Sequence, residues 1–179
     1  MVVGVAVAGG LLIGGTAALG AGAASKPKGG EVHVLVEPSG SATPGKILFT
    51  GAIGDQGTTL NVDQNGTPDP NGNYAKVTLS QGTFEVNITA LKAASNNASP
   101  RFNTATCSAT ISVIAPITLL DGTGLYAGIT GTVRASETAG FIGPRITSGA
   151  KKGQCNMDNS AQPVGLLILV TGTGTVHFG

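Results

Sequence analysis

Apolar and polar residues alternate singly along much of this chain, and that period commits it to β-structure. In Glu31-Val32-His33-Val34-Leu35-Val36-Glu37 the three valines fall on one side of an extended strand. Glu31, His33, Leu35 and Glu37 fall on the other. Thr83-Phe84-Glu85-Val86-Asn87-Ile88-Thr89 alternates in the same way, with Phe84, Val86 and Ile88 on its apolar face. So does the stretch from Thr106 to Val113, where Cys107, Ala109, Ile111 and Val113 oppose Thr106, Ser108, Thr110 and Ser112. Less regular strands read at residues 46–53, 58–62, 74–79, 116–120 and 126–136. A final apolar run, residues 164–170, leads into 171–178 as one bent strand or two short ones. Turn signals separate several of these segments: Pro38-Ser39-Gly40, Gly54-Asp55-Gln56-Gly57, Asp69-Pro70-Asn71-Gly72 and Asp121-Gly122-Thr123-Gly124. The helix-tolerant stretch 90–98 runs into Pro100 and supports one helical turn at most.

Composition narrows the architecture further. Only 11% of residues are charged against 41% hydrophobic, too few Lys, Glu and Arg for the exposed faces of a helical bundle. A net charge of +1 without a basic run gives a nucleic-acid binder no electrostatic footing. The supply of Val, Ile and Leu argues against disorder. The expected fold is all-β, an antiparallel β-barrel of about eight strands, with a two-sheet β-sandwich as the alternative. Gly51, Gly128, Gly131, Gly172 and Gly174 lie in strand-like segments, where glycine permits the sharp bends of a small barrel, and they favour the barrel.

Residues 1–25 contain no charged side chain, and the apolar centre 2–19 has Thr16 as its only polar member. The segment ends in Ala21-Gly22-Ala23-Ala24-Ser25, which fits the small-residue cleavage region of a secretory signal peptide. The predicted organisation is a signal peptide over residues 1–24 and a single β-barrel domain over 25–179, secreted or held in the cell envelope. No Lys or Arg precedes the apolar run, a departure from the usual basic start. A retained anchor is therefore the alternative, since about 20 apolar residues span a bilayer; the membrane would then be met only through this leader. Cys107 and Cys155 are the only two cysteines, an even number in a chain with an export signal, so a disulfide between them is expected. It would close a loop of about 48 residues, worth roughly 3–4 kcal/mol in the chain-entropy account.

The residues Gly122, Gly124, Tyr126, Gly128 and Gly131, following Asp121, spell Gly-x-Gly-x-Tyr-x-Gly-x-x-Gly. This stretch resembles a hairpin of the allene oxide cyclase and dirigent-like β-barrel superfamily. The resemblance implies a turn joining two long strands, with the aromatic ring packed beneath it and glycines relieving the crowding. The run Phe141-Ile142-Gly143-Pro144-Arg145, with Gly153-Gln154-Cys155-Asn156-Met157 after it, is similar to small secreted actinobacterial, mycobacterial-type proteins of unassigned activity. Together these resemblances imply a barrel and a secreted setting, and no reaction. As a D-G pair, Asp121 and Gly122 also predict a type I′ turn with positive φ at its centre.

Little in the sequence carries catalytic chemistry. No Ser–His–Asp set or G-x-S-x-G motif is present, and His33 and His177 are the only histidines. No catalytic residue, metal site or cofactor is predicted. Asp63, Asn65, Thr67 and Asp69 resemble the start of a calcium loop. Pro68 stands at the sixth place and Tyr74 at the twelfth, where Gly and Glu are needed, so the motif fails. Lys151-Lys152 reads as a solvated loop pair. Arg134 and Glu137, three apart, would point to opposite faces of a regular strand. If the apolar faces line the barrel, Glu31, His33, Glu85 and Asn87 lie outside it. The expected function is that of an exported, non-enzymatic barrel binding a hydrophobic small molecule, a lipid or a partner. A cavity isomerase or cyclase of the allene oxide cyclase type is the alternative. An open cavity of roughly 300 Å³ or more with a charged residue inside would favour ligand chemistry; a filled core would favour an interaction role.

Overall fold

The computed structural model describes residues 28–39, 43–158 and 160–179; the leader assigned to residues 1–24 lies outside them. The alternating segments become strands β1 (Gly30–Glu37), β2 (Gly45–Gly51), β3 (Asp55–Val62), β4 (Tyr74–Leu79) and β5 (Gly82–Asn87). A helix, α1 (Thr89–Asn96), and a short strand, β6 (Arg101–Asn103), follow. Three strands of 13 residues complete the order: β7 (Ser108–Leu120), β8 (Thr130–Ile142) and β9 (Gly165–His177). All pairings are antiparallel. Successive neighbours run from β5 back through β4, β3 and β2 to β1, then across to β9, β8 and β7. The ring closes where Glu85, Val86 and Asn87 of β5 pair with Leu120, Leu119 and Thr118 of β7. The result is a closed eight-stranded barrel with β6 as an added strand on β7. The sandwich alternative is excluded by that closure.

Side-chain parity places the apolar faces inside. Val32 and Val34, Ile47 and Phe49, Ala75 and Val77, and Phe84 and Val86 are all buried, while Glu31 and His33 face water. The barrel has two unlike ends. At one, where β1 begins and β7 finishes, aromatic rings fill the interior. Phe49 meets Phe84 edge-on at 5.5 Å, Phe84 meets Tyr126 at 5.6 Å, and Phe178 lies 6.4 Å beyond Tyr126. At the other end α1 lies across the opening with Leu91 buried beneath it.

The three long strands are longer than the barrel is deep. β1 pairs with β9 only from Val170 to Val176, yet β8 accompanies β9 down to Ile142 opposite Gly165, and β7 accompanies β8 to Ser108. An overhang of β6, β7, β8 and β9 therefore projects past the α1 end. Cys107 and Cys155 stand at disulfide distance there, their Cα atoms 5.3 Å apart. They tie the connection between β8 and β9 to the root of β7.

Several expectations are corrected. The segments 106–113 and 116–120 form one strand despite Pro116. Around that residue β7 pairs with β8 alone, β6 reaching only Thr110 and β5 starting at Thr118. One edge of the strand is without a strand neighbour there, where a missing N–H is tolerated. Cys107 precedes β7 at a φ of 56° rather than extending it. Gly54-Asp55-Gln56-Gly57 is not a turn throughout, because β3 already starts at Asp55. The helix has two turns rather than one, and β6 had no counterpart in the sequence reading. Asp121 and Gly122 do not form a two-residue type I′ turn. Nine residues separate β7 from β8, and Gly124–Tyr126 make a 3₁₀ turn among them, so Tyr126 opens no strand. That connection is held on the β4–β5 turn instead: the N–H of Thr123 donates to the Thr83 carbonyl (2.7 Å) and that of Leu125 to Gln81 (3.0 Å).

Candidate functional site

Below α1 the interior is hollow. A cavity of about 290 Å³ opens between α1, the end of β1 and the loop joining β3 to β4. Its wall is set by the strand parity already described: Val34, Ile47, Val77, Val86, Ile117, Val133 and Val170 all point into it, with Phe49 and Leu119 toward its floor. The size lies at the lower edge of small-molecule sites, whose walls are mostly apolar with a few placed polar groups.

Those polar groups sit at the mouth. Glu137 continues the inward parity of Val133 and Ala135 on β8 and brings a carboxylate to the cavity wall. Ser95 of α1 donates its hydroxyl to Glu137 Oε1 at 3.0 Å, so the helix is latched to the barrel wall over the opening. Lys92, also on the wall, reaches the other way. Its Nζ donates to the carbonyls of Asn71 at 2.6 Å and Gly72 at 2.8 Å in the β3–β4 loop. Thr59 and Asn61 of β3 supply the remaining polar edge. Such a site offers an apolar chamber, one carboxylate, a few neutral polar groups and one already engaged cation. Among the described residues no group of three or more His, Cys, Asp or Glu side chains is placed to hold a metal ion.

The plugged end holds a second polar arrangement with a structural purpose. Tyr126 is 1% exposed and donates its hydroxyl to Asp55 Oδ2 at 2.6 Å. Ser80 donates its hydroxyl to both Asp55 oxygens at 2.8 and 2.9 Å, and the backbone N–H groups of Gln56 and Gln81 add 2.7 and 3.3 Å bonds. Burial pushes the Asp55 carboxyl up, but the bonds from Tyr126, Ser80, Gln56 and Gln81 together hold it below the usual carboxylate range. Burial, then the bond to Asp55 and its negative charge, push the Tyr126 phenol well above its ordinary value.

The hairpin and cysteine residues singled out from the sequence are not at the cavity. Asp121, Gly122, Gly124, Tyr126, Gly128 and Gly131 cluster at the plugged end, where Tyr126 does pack beneath the β7–β8 connection. Cys107 and Cys155 lie on the overhang. Arg134 and Glu137 do take opposite sides, Arg134 outward and Glu137 on the cavity wall. Glu137 was legible as inward by extending the parity of Val133-Arg134-Ala135-Ser136. Lys92, Ser95 and Asp55 carried no comparable signal, since each depends on a partner from another element. Searches with protein-family models, among curated proteins and among solved structures find no match to this chain.

Proposed function

We propose that this protein is an exported, non-enzymatic barrel that holds a small apolar ligand in the cavity under α1. The observation that carries the reading is the unequal filling of the interior. Aromatic rings close one half, while the other keeps about 290 Å³ behind a valine- and isoleucine-rich wall. Protein interiors are otherwise close-packed, with few voids larger than a water molecule. The leader and the cysteine pair support a secreted or envelope setting, as does the resemblance to secreted barrels.

Native mass spectrometry of the protein purified from its own envelope or medium tests this. A retained apolar mass is expected, and intact-mass analysis should place the mature start between Ala23 and Lys26. Ala75→Phe directs a ring into the chamber from a wall position. It should abolish uptake of an apolar dye such as 1-anilinonaphthalene-8-sulfonate while the barrel stays folded. Dye uptake equal in wild type and Ala75→Phe, with no retained mass, would overturn the proposal.

A cavity isomerase or cyclase is the second reading, favoured by Glu137 as the one carboxylate on the chamber wall. Under it, Glu137→Gln would leave binding intact and remove turnover of the retained compound. Under the binding reading nothing is turned over by either form.

A further inference from the structure

We infer that the overhang of β7, β8 and β9 docks the protein onto an anionic lipid surface. The inference stands apart from the cavity reading. Residues 165–169 of β9 have β8 on one side, and on the other β1 has already ended its pairing at Val170. Such edges are normally guarded by Lys, Pro or a bulge. Here Val164, Leu166 and Leu167 are 70%, 58% and 65% exposed, and no charged residue occurs between Asp158 and His177. Leu166 and Leu167 point to opposite faces, so the tip is apolar on both. Ile142 and Met157 extend it on the adjoining β8 end and connection, 49% and 65% exposed. Clustered apolar exposure of this kind marks an interaction site.

Charge selects the occupant. The overhanging ends and their connection carry Arg101, Arg145, Lys151 and Lys152 against Asp158, while Glu137 of β8 stands at their base on the cavity wall. The other seven acidic residues, Glu31, Glu37, Asp55 and Glu85 among them, belong to the rest of the barrel and its other loops. Leucines to enter the acyl boundary beside Lys and Arg to meet head groups are what an interfacial anchor needs. A second copy would present the same cations, and a nucleic acid would leave the leucines uncovered. No helix among the described residues is long and apolar enough to cross a membrane.

The chain has no Trp, which gives a clean probe. In the full-length protein, Leu167→Trp reports the tip and Thr78→Trp the outer barrel wall. On adding vesicles of mixed phosphatidylcholine and phosphatidylglycerol, the position-167 emission should shift to the blue and the position-78 emission should not. Leu166→Ser with Leu167→Ser should weaken vesicle sedimentation at least about tenfold, and Lys151→Ser with Lys152→Ser should reduce its salt sensitivity. Two results would overturn the inference. One is an unshifted position 167 on vesicle-bound protein, which would mean that another segment does the binding. The other is a lipid-free dimer by sedimentation equilibrium with position 167 already blue-shifted.

Discussion

Tyr126 and Asp55 make a coupled pair whose two ends respond to opposite extremes of pH. The folded pKa of Asp55 is depressed, so its contribution to stability is present above the unfolded carboxylate value and is lost as pH falls through the folded one. That of Tyr126 is raised, so its contribution is full below the ordinary tyrosine value of about 10 and is lost as pH rises toward the folded one. Tyr126→Phe removes a hydrogen bond to a charged group and should cost about 1.5–3 kcal/mol at neutral pH. In melting curves collected against pH, the same variant should lack the wild-type decline above about pH 10. An unchanged alkaline arm would separate Tyr126 from that decline. Gly122 and Gly124 serve the same corner for different reasons. A Cβ on Gly122 would run into the Tyr126 carbonyl, and one on Gly124 into the Gln81 carbonyl at a φ of 61°. Val at either position should lower stability by more than about 1 kcal/mol in urea titration.

Among the elements, the disulfide reaches furthest, because it fastens the connection 143–164 to the root of β7. Inside that connection Arg145 donates to the carbonyls of Gly153 and Ala105 at 2.7 and 2.6 Å. Replacing both cysteines by Ala should therefore loosen the connection first. Hydrogen exchange should rise over residues 144–158 while β1–β5 stay protected, and total stability should fall by up to roughly 3–4 kcal/mol. Uniform loss of protection would instead make the bridge a support of the whole barrel. The strands themselves were legible because alternation is a local property: β1, β4, β5 and much of β7 follow directly from residues two apart. The site was not. Lys92 and Ser95 lie on a helix of eight residues that the sequence supports only weakly, and its position across the mouth comes from packing on β7 and from hydrogen bonds to β8 and the β3–β4 loop. The D-G pair misled for a related reason. The connection is shaped by the β4–β5 turn beneath it, which overrides the two-residue preference.

For the molecule as a whole, β1 and β9 are the paired strands furthest apart in the sequence. Residues at opposite ends of the described chain, Gly30 and Val176, are register partners, so this seam comes with a long loop to close. Refolding should be slow for the size of the chain, milliseconds to seconds rather than microseconds, in stopped-flow experiments with the disulfide intact. A microsecond phase recovering all the signal would contradict this. A ribosome making the protein cannot supply the closing strand until Gly165–His177 has left the exit tunnel. Up to that moment β1 and β8 each lack the neighbour that β9 supplies, and the barrel cannot close.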